Sequence, residues 1–149
     1  MLTCFDVAEY FLAHCDEESG DLISNLKLQK LAYYAQGFSL SLLDRPIFGE
    51  DIEAWMHGPV VPELYHAYKA HGNSGLPKPE AVDFTKFSED EAELLDEVYK
   101  IYGQFSAWKL RNMTHDEAPW QQTYVEGAAS RAISHEKLKA HFDTLIVDE

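Results

Sequence analysis

The chain has 149 residues, 46% of them hydrophobic and 13% aromatic, enough for one domain with a packed core and too apolar for a disordered chain. Its formal net charge of −14 argues against nucleic acid as a main ligand and favours encounter with a basic partner, although solubility alone explains such a charge equally well. No apolar run approaches the ~20 residues of a membrane span, the acidic N-terminus is no signal peptide, and two cysteines without metal or CxxC spacing point to a reduced, cytoplasmic protein.

Thr3 and Asp6 read as a capping box, and Cys4, Val7, Phe11 and Cys15 recur at helical spacing, so a first helix is expected over about residues 4–15. Cys4 and Cys15 lie about three turns apart on it, roughly 16 Å, too far to bridge. A polar loop, DEESGD, leads to Ser24 or Asn25 as the cap of a second helix. There Leu28, Leu31, Ala35, Phe38 and Leu42 form a stripe, and Leu26, Tyr33, Tyr34 and Leu40 spread apolar surface around it. A helix apolar on most sides is a central one. Gly37 inside it weakens the helix by ~1 kcal/mol relative to alanine, which points to a close crossing.

Arg45-Pro46 stops the second helix. Ile52, Ala54 and Met56 alternate with Glu53, Trp55 and His57, the period of a strand, and Gly49-Glu50-Asp51 suggests a hairpin between residues 46–48 and 52–56. Pro62 suits the first turn of a third helix with Leu64, Tyr65 and Tyr68 inside and Gly72 at its end. Ser88 and Glu91 read as a capping box for a fourth, with Leu94, Val98, Ile101 and Phe105 as its stripe. Ser106 caps a fifth (Ala107, Leu110, Met113 and Thr114). Pro119 opens a short sixth with Trp120 and Tyr124, and Ser134 caps a last one with Leu138, Phe142 and Leu145. The expected fold is mainly α (α+β): one domain over residues 1–149, with six to seven helices and a small antiparallel β-hairpin.

The sequence carries no phosphate-binding, nucleophile-elbow or metalloprotease motif. His115-Asp116-Glu117 is its most enzyme-like cluster, since a histidine beside carboxylates can act as a base. Sequence neighbours do not face each other on a helix, however, and the plainer reading puts Asp116 and Glu117 at a helix N-terminus, where acids favour the dipole. His66 and His71 fall on different helix faces and make a poor metal site with His57. Neither cysteine has a basic neighbour to activate it. No catalytic residue, metal or cofactor is therefore expected. Trp55, Trp108 and Trp120 fit core or rim packing first and an interface second.

Four stretches occur in a specific order: a DVAxYFL start, LKLQKLAYYAQGFSLSL (Leu26–Leu42), PIFGEDIEAWMHGPVVPELYHAYKAHG (Pro46–Gly72) and LRNMTHDEAPW (Leu110–Trp120). Together they resemble the Panacea antitoxin domain, a family of SocA-like antitoxins and phage-associated GepA-like proteins, over about residues 5–145. Asn112-Met113 and Ala118 depart mildly from its pattern. The resemblance implies a bacterial, non-enzymatic antitoxin that binds a toxin encoded by the adjacent gene, in some members within prophages. Some members instead resemble proteolytic adaptors delivering a toxin to a ClpXP-type protease, and an uncharacterised enzyme using His115 is a further alternative. Under the resemblance, Trp55, His57, Tyr65, Thr114, His115 and Trp120 are the candidate partner-binding residues, and Gly37, Gly58, Pro59, Pro62 and Pro119 the structural ones. Gly58 to Pro62 is expected to form a rigid corner docking the third helix on the second. Oligomeric state stays open.

Overall fold

The computed structural model describes residues 1–16 and 20–146. Its helices begin where the sequence supplies an oxygen to their first free N–H groups. In α1 (Cys4–His14) the Thr3 hydroxyl accepts from the Asp6 N–H at 3.2 Å, and the Asp6 carboxylate accepts from the Thr3 N–H at 2.9 Å. Ser88 and Glu91 form the same reciprocal box at the head of α4 (Glu89–Tyr102). Single serine caps open α2 (Asn25–Leu42, from Ser24), α5 (Ala107–His115, from Ser106) and α7 (His135–Asp143, from Ser134). Such caps contribute ~1 kcal/mol each and fix where a helix can start. α3 (Pro62–Tyr68) and α6 (Ala118–Gln121) instead start on a proline in the first turn. Part of the expected polar loop, residues 17–19, lies outside the described residues.

The fold is mainly helical, and α2 is its axis, with α1, α3, α4, α5 and α7 all packed against it. Leu28, Leu31, Tyr33, Tyr34 and Ala35 have no solvent exposure, as the spread of apolar residues around this helix requires. Helix α7 crosses α2 at Gly37. A methyl group placed on Gly37 would sit 2.1 Å from the Phe142 ring, so only glycine lets that ring approach the backbone so closely. Phe142 also meets Tyr33 and Phe38 edge-on, at 5.4 and 4.8 Å between centroids.

The β element differs from the expected hairpin. Its strands are β1 (Glu53–Trp55) and β2 (Gly58–Val60), joined through Met56-His57, and a third strand, β3 (Arg131–Ala132), pairs on the other side of β1. Residues 46–48 do not pair with β1, and Phe48 forms an isolated bridge with Leu2. Two features set this register. Gly58 adopts φ +109°, which a reversal immediately after Trp55 demands and which other residues resist. Pro59, opposite Ala54, lies on the edge strand, where its missing N–H costs no ladder bond.

Two apolar stripes also end differently from their sequence pattern. In α4 the innermost residue is Leu95, while Ile101 is exposed. Leu42, the last member of the α2 stripe, is exposed as well. Tyr124 lies beyond the end of α6, and Leu145 beyond that of α7.

Gly37→Ala is expected to destabilise the protein by about 3 kcal/mol, because the α2–α7 crossing must open. In urea unfolding, Gly37→Ala combined with Phe142→Leu should lose less than the two single variants added together, since both act on one contact.

Candidate partner-binding face

Helices α5 and α6 and the β1–β2 turn come together around one buried cation. The Lys30 side chain, fully buried on α2, donates to the Pro59 carbonyl at 3.1 Å. Thr114, equally buried, donates its hydroxyl to the Arg111 carbonyl at 2.8 Å. Both close on Gly58: a methyl group there would lie 2.8 Å from the Thr114 Oγ1 and 2.9 Å from the Lys30 Cε. Gly58 is thus required twice, by its dihedral and by its neighbours. Burial pushes the Lys30 amine down to about 7, and the positive Arg111 nearby adds to the shift.

Above this layer the His115 and Trp120 rings stack at 4.1 Å and 3° between planes, and Trp120 stacks again on Tyr124 at 4.7 Å. The Trp120 indole N–H donates to the Trp55 carbonyl at 2.7 Å, which ties α6 to the hairpin. Trp55 donates its own indole N–H to Glu53 at 2.9 Å and packs edge-on against Tyr65 at 5.1 Å. His57 lies in the turn and not in the strand, where Arg111 Nε donates to its Nδ1 at 3.5 Å. Pro119 is buried in the first turn of α6, and Pro62 opens α3 directly after Val61, whose N–H donates to the Gln29 side chain at 2.9 Å.

His115, Asp116 and Glu117 are not gathered into one site. The Glu117 side chain turns away to accept hydrogen bonds from the Tyr33 and Tyr34 hydroxyls at 2.8 and 2.9 Å, with His141 Nε2 3.8 Å distant. Burial raises its carboxyl above the ordinary glutamate range, opposed by the two tyrosine bonds. Asp116 is exposed. Burial lowers the His115 imidazole, and Arg111, Lys30 and His57 push it further down. Of the two neighbouring carboxylates, Glu117 is thus held by the tyrosines and Asp116 faces solvent. Among the described residues no three His, Cys, Asp or Glu side chains gather as metal ligands, and no helix is long and apolar enough to cross a membrane. Cys4 and Cys15 are both buried, and burial pushes the Cys4 thiol up to about 12.

The sequence reading missed the most exposed part of this face. Trp108 is 59% exposed, and the Arg111 guanidinium lies over its ring at 4.5 Å. Met56, at the turn, is 62% exposed. Arg111 joins Trp108 to His57, so Met56, His57, Arg111 and Trp108 form one continuous strip. The signal was present in the spacing: residues 108 and 111 are neighbours on a helix face, and both fall off the Ala107–Leu110–Thr114 stripe that α5 turns inward.

The family described as antitoxin SocA-like, Panacea domain, matches residues 28–121, which runs from the start of the α2 stripe to the end of α6. Antitoxin SocA of Caulobacter vibrioides (strain NA1000 / CB15N) is 33% identical over 109 residues, covering 66% of this chain. The chain spans 58% of the length of that relative. No solved structure gives a significant match.

Two stability measurements check the interior of this face. Glu117→Ala leaves two buried tyrosine hydroxyls without an acceptor and is expected to cost roughly 2–4 kcal/mol, while Glu117→Gln, which keeps an acceptor, loses clearly less. For Lys30, the unfolded chain holds the ammonium proton up to its ordinary value of 10.5, whereas the folded chain releases it near 7. Between these values the unfolded state binds more protons, so stability rises with pH, and the burial penalty is fully present below pH 7. Relative to Lys30→Met, the wild type should gain on the order of 2 kcal/mol between pH 7 and 9 in urea unfolding. A gap that stays flat over this range would show Lys30 titrating normally.

Proposed function

We propose that this chain, which belongs to the SocA-like antitoxins of the Panacea-domain family, neutralises a toxin protein by binding it directly. The observation that carries this reading is the strip Met56–His57–Arg111–Trp108. Tryptophan and arginine are both enriched at binding hot spots, and a pre-stacked pair loses little freedom on binding. Trp55, Tyr65, His115 and Trp120 hold the strip from behind through the stacked rings and the indole bond to Trp55. Thr114, with Lys30, seats the hairpin on α5. In this reading Gly58, Pro59, Pro62 and Pro119 shape the backbone, Gly37 sets the helix crossing, and residues 1–149 act as one domain without catalytic machinery. The toxin is the product of the adjacent gene, met in the cytoplasm.

Co-expression tests this. The adjacent gene, induced alone in a bacterial host, should arrest growth. With this chain present, growth should recover and the two proteins should purify as a complex. Recovery with disappearance of the neighbour's protein would replace direct neutralisation by delivery to a protease, and an absence of both toxicity and complex would overturn the reading. Trp108→Ala should weaken the complex tenfold or more, about 1.4 kcal/mol or more, while leaving the unfolding midpoint unchanged because the ring is exposed.

A further inference from the structure

The exposed ends of the α2 and α4 stripes face each other. Leu42 is 55% exposed and Ile101 47% exposed, and with Phe38, Leu94 and Val98 they line a groove of about 380 Å³ between the two helices. Along α4 the groove extends from Asp90 to Ile101, about 16 Å at the helical rise, the length of three turns of a second helix laid alongside. Its apolar floor is bordered by Asp90, Glu93 and Glu97, and no Lys or Arg lines it among the described residues. These acids follow one another at i, i+3 and i+7, so they repel one another along one helix edge, and a bound cation would relieve them.

We infer that this groove receives an amphipathic helix with apolar residues at i, i+3 or i+4 and i+7 and with lysine or arginine on its flank. Resting on the antitoxin reading, the helix belongs to the toxin, which then contacts the chain here in addition to the Trp108 strip. Apolar anchors would fill the space between Leu42 and Ile101, and the flanking cations would meet Asp90, Glu93 and Glu97. Charge selects this occupant over a second copy of the chain. Two copies joined groove to groove would set acid against acid in a protein of net charge −14.

The test titrates the full 15N-labelled chain with a 14-residue helical peptide carrying leucines at i, i+3, i+4 and i+7 and lysines and arginines on both flanks. A peptide of the same composition in scrambled order is the control. Amide shifts should be confined to residues 38–43 and 90–102, with binding at least tenfold tighter than for the scrambled peptide. Glu93→Lys/Glu97→Lys should lose at least tenfold in affinity, as should Leu42→Ser. Should the charge reversal unfold α4, Glu93→Gln/Glu97→Gln takes its place with a smaller expected loss. Equal binding of the scrambled peptide, shifts centred on α5 and the β1–β2 turn, or an affinity indifferent to both acid substitutions would overturn the inference. So would line broadening in the groove that grows with protein concentration in the absence of peptide, which would give the groove to a second copy. No toxin enters these readouts. A chain that binds the peptide but fails to neutralise its neighbour's product therefore sinks the antitoxin reading alone. One that neutralises but shows a silent groove sinks this inference alone.

Discussion

Helix α2 is surrounded by protein, yet it carries polar side chains inward, and a buried polar group without a partner costs more than its hydrogen bond returns. Each therefore has to find a partner: Tyr33 and Tyr34 share the Glu117 carboxylate, and the others are met by a backbone that comes to them. Gln36 accepts from the Ile47 N–H at 2.8 Å and donates to the Phe48 carbonyl at 2.9 Å. Gln29 accepts from the Val61 N–H, Lys30 donates to Pro59, and Lys27 reaches the Gly103 carbonyl at 2.6 Å. The connections between helices are fixed by these hooks as much as by apolar packing. The hairpin sits where it does because Lys30 and Gln29 hold its second strand and the residue after it.

The same constraint connects the interior to the proposed surface. Lys30 and Thr114 hold Gly58 in place, Gly58 sets the reversal through Met56 and His57, and Trp120 anchors the hairpin through the Trp55 carbonyl. What faces outward on α5 is then a short strip on a rigid base. The acidic groove lies on α2 and α4, apart from this arrangement, and owes its openness to two apolar residues that no other helix covers among the described residues.

Local chemistry was legible in the sequence. Serine and threonine caps, the two capping boxes and the proline starts depend on a few neighbouring residues, and the helices follow from them. The hairpin register was not, because it turns on a positive φ at Gly58 and on Pro59 occupying an edge, which pattern alone does not fix. Burial of Lys30, Gln29 and Gln36 depends on partners 11 to 32 residues away. Periodicity marked Leu42 and Ile101 as core residues because it records which face is apolar, not whether anything arrives to cover it. Trp108 was weighed as a packing residue by type, although its place off the inward stripe of α5 pointed outward.

The crossing at Gly37 has a consequence for synthesis. The partners that complete α2 arrive late: Ser41 bonds Asp143 across 102 residues of chain, and Phe142 closes over Gly37 beside it. At a translation rate of ~5–20 residues per second, roughly 5–20 s separate the emergence of α2 from that of the helix that seals it. Throughout that interval Tyr33, Tyr34 and Phe38 lack the ring that covers them. The nascent chain therefore offers these side chains to chaperones and proteases until α7 has emerged, and protection of α2 waits on that helix as well as on the earlier ones.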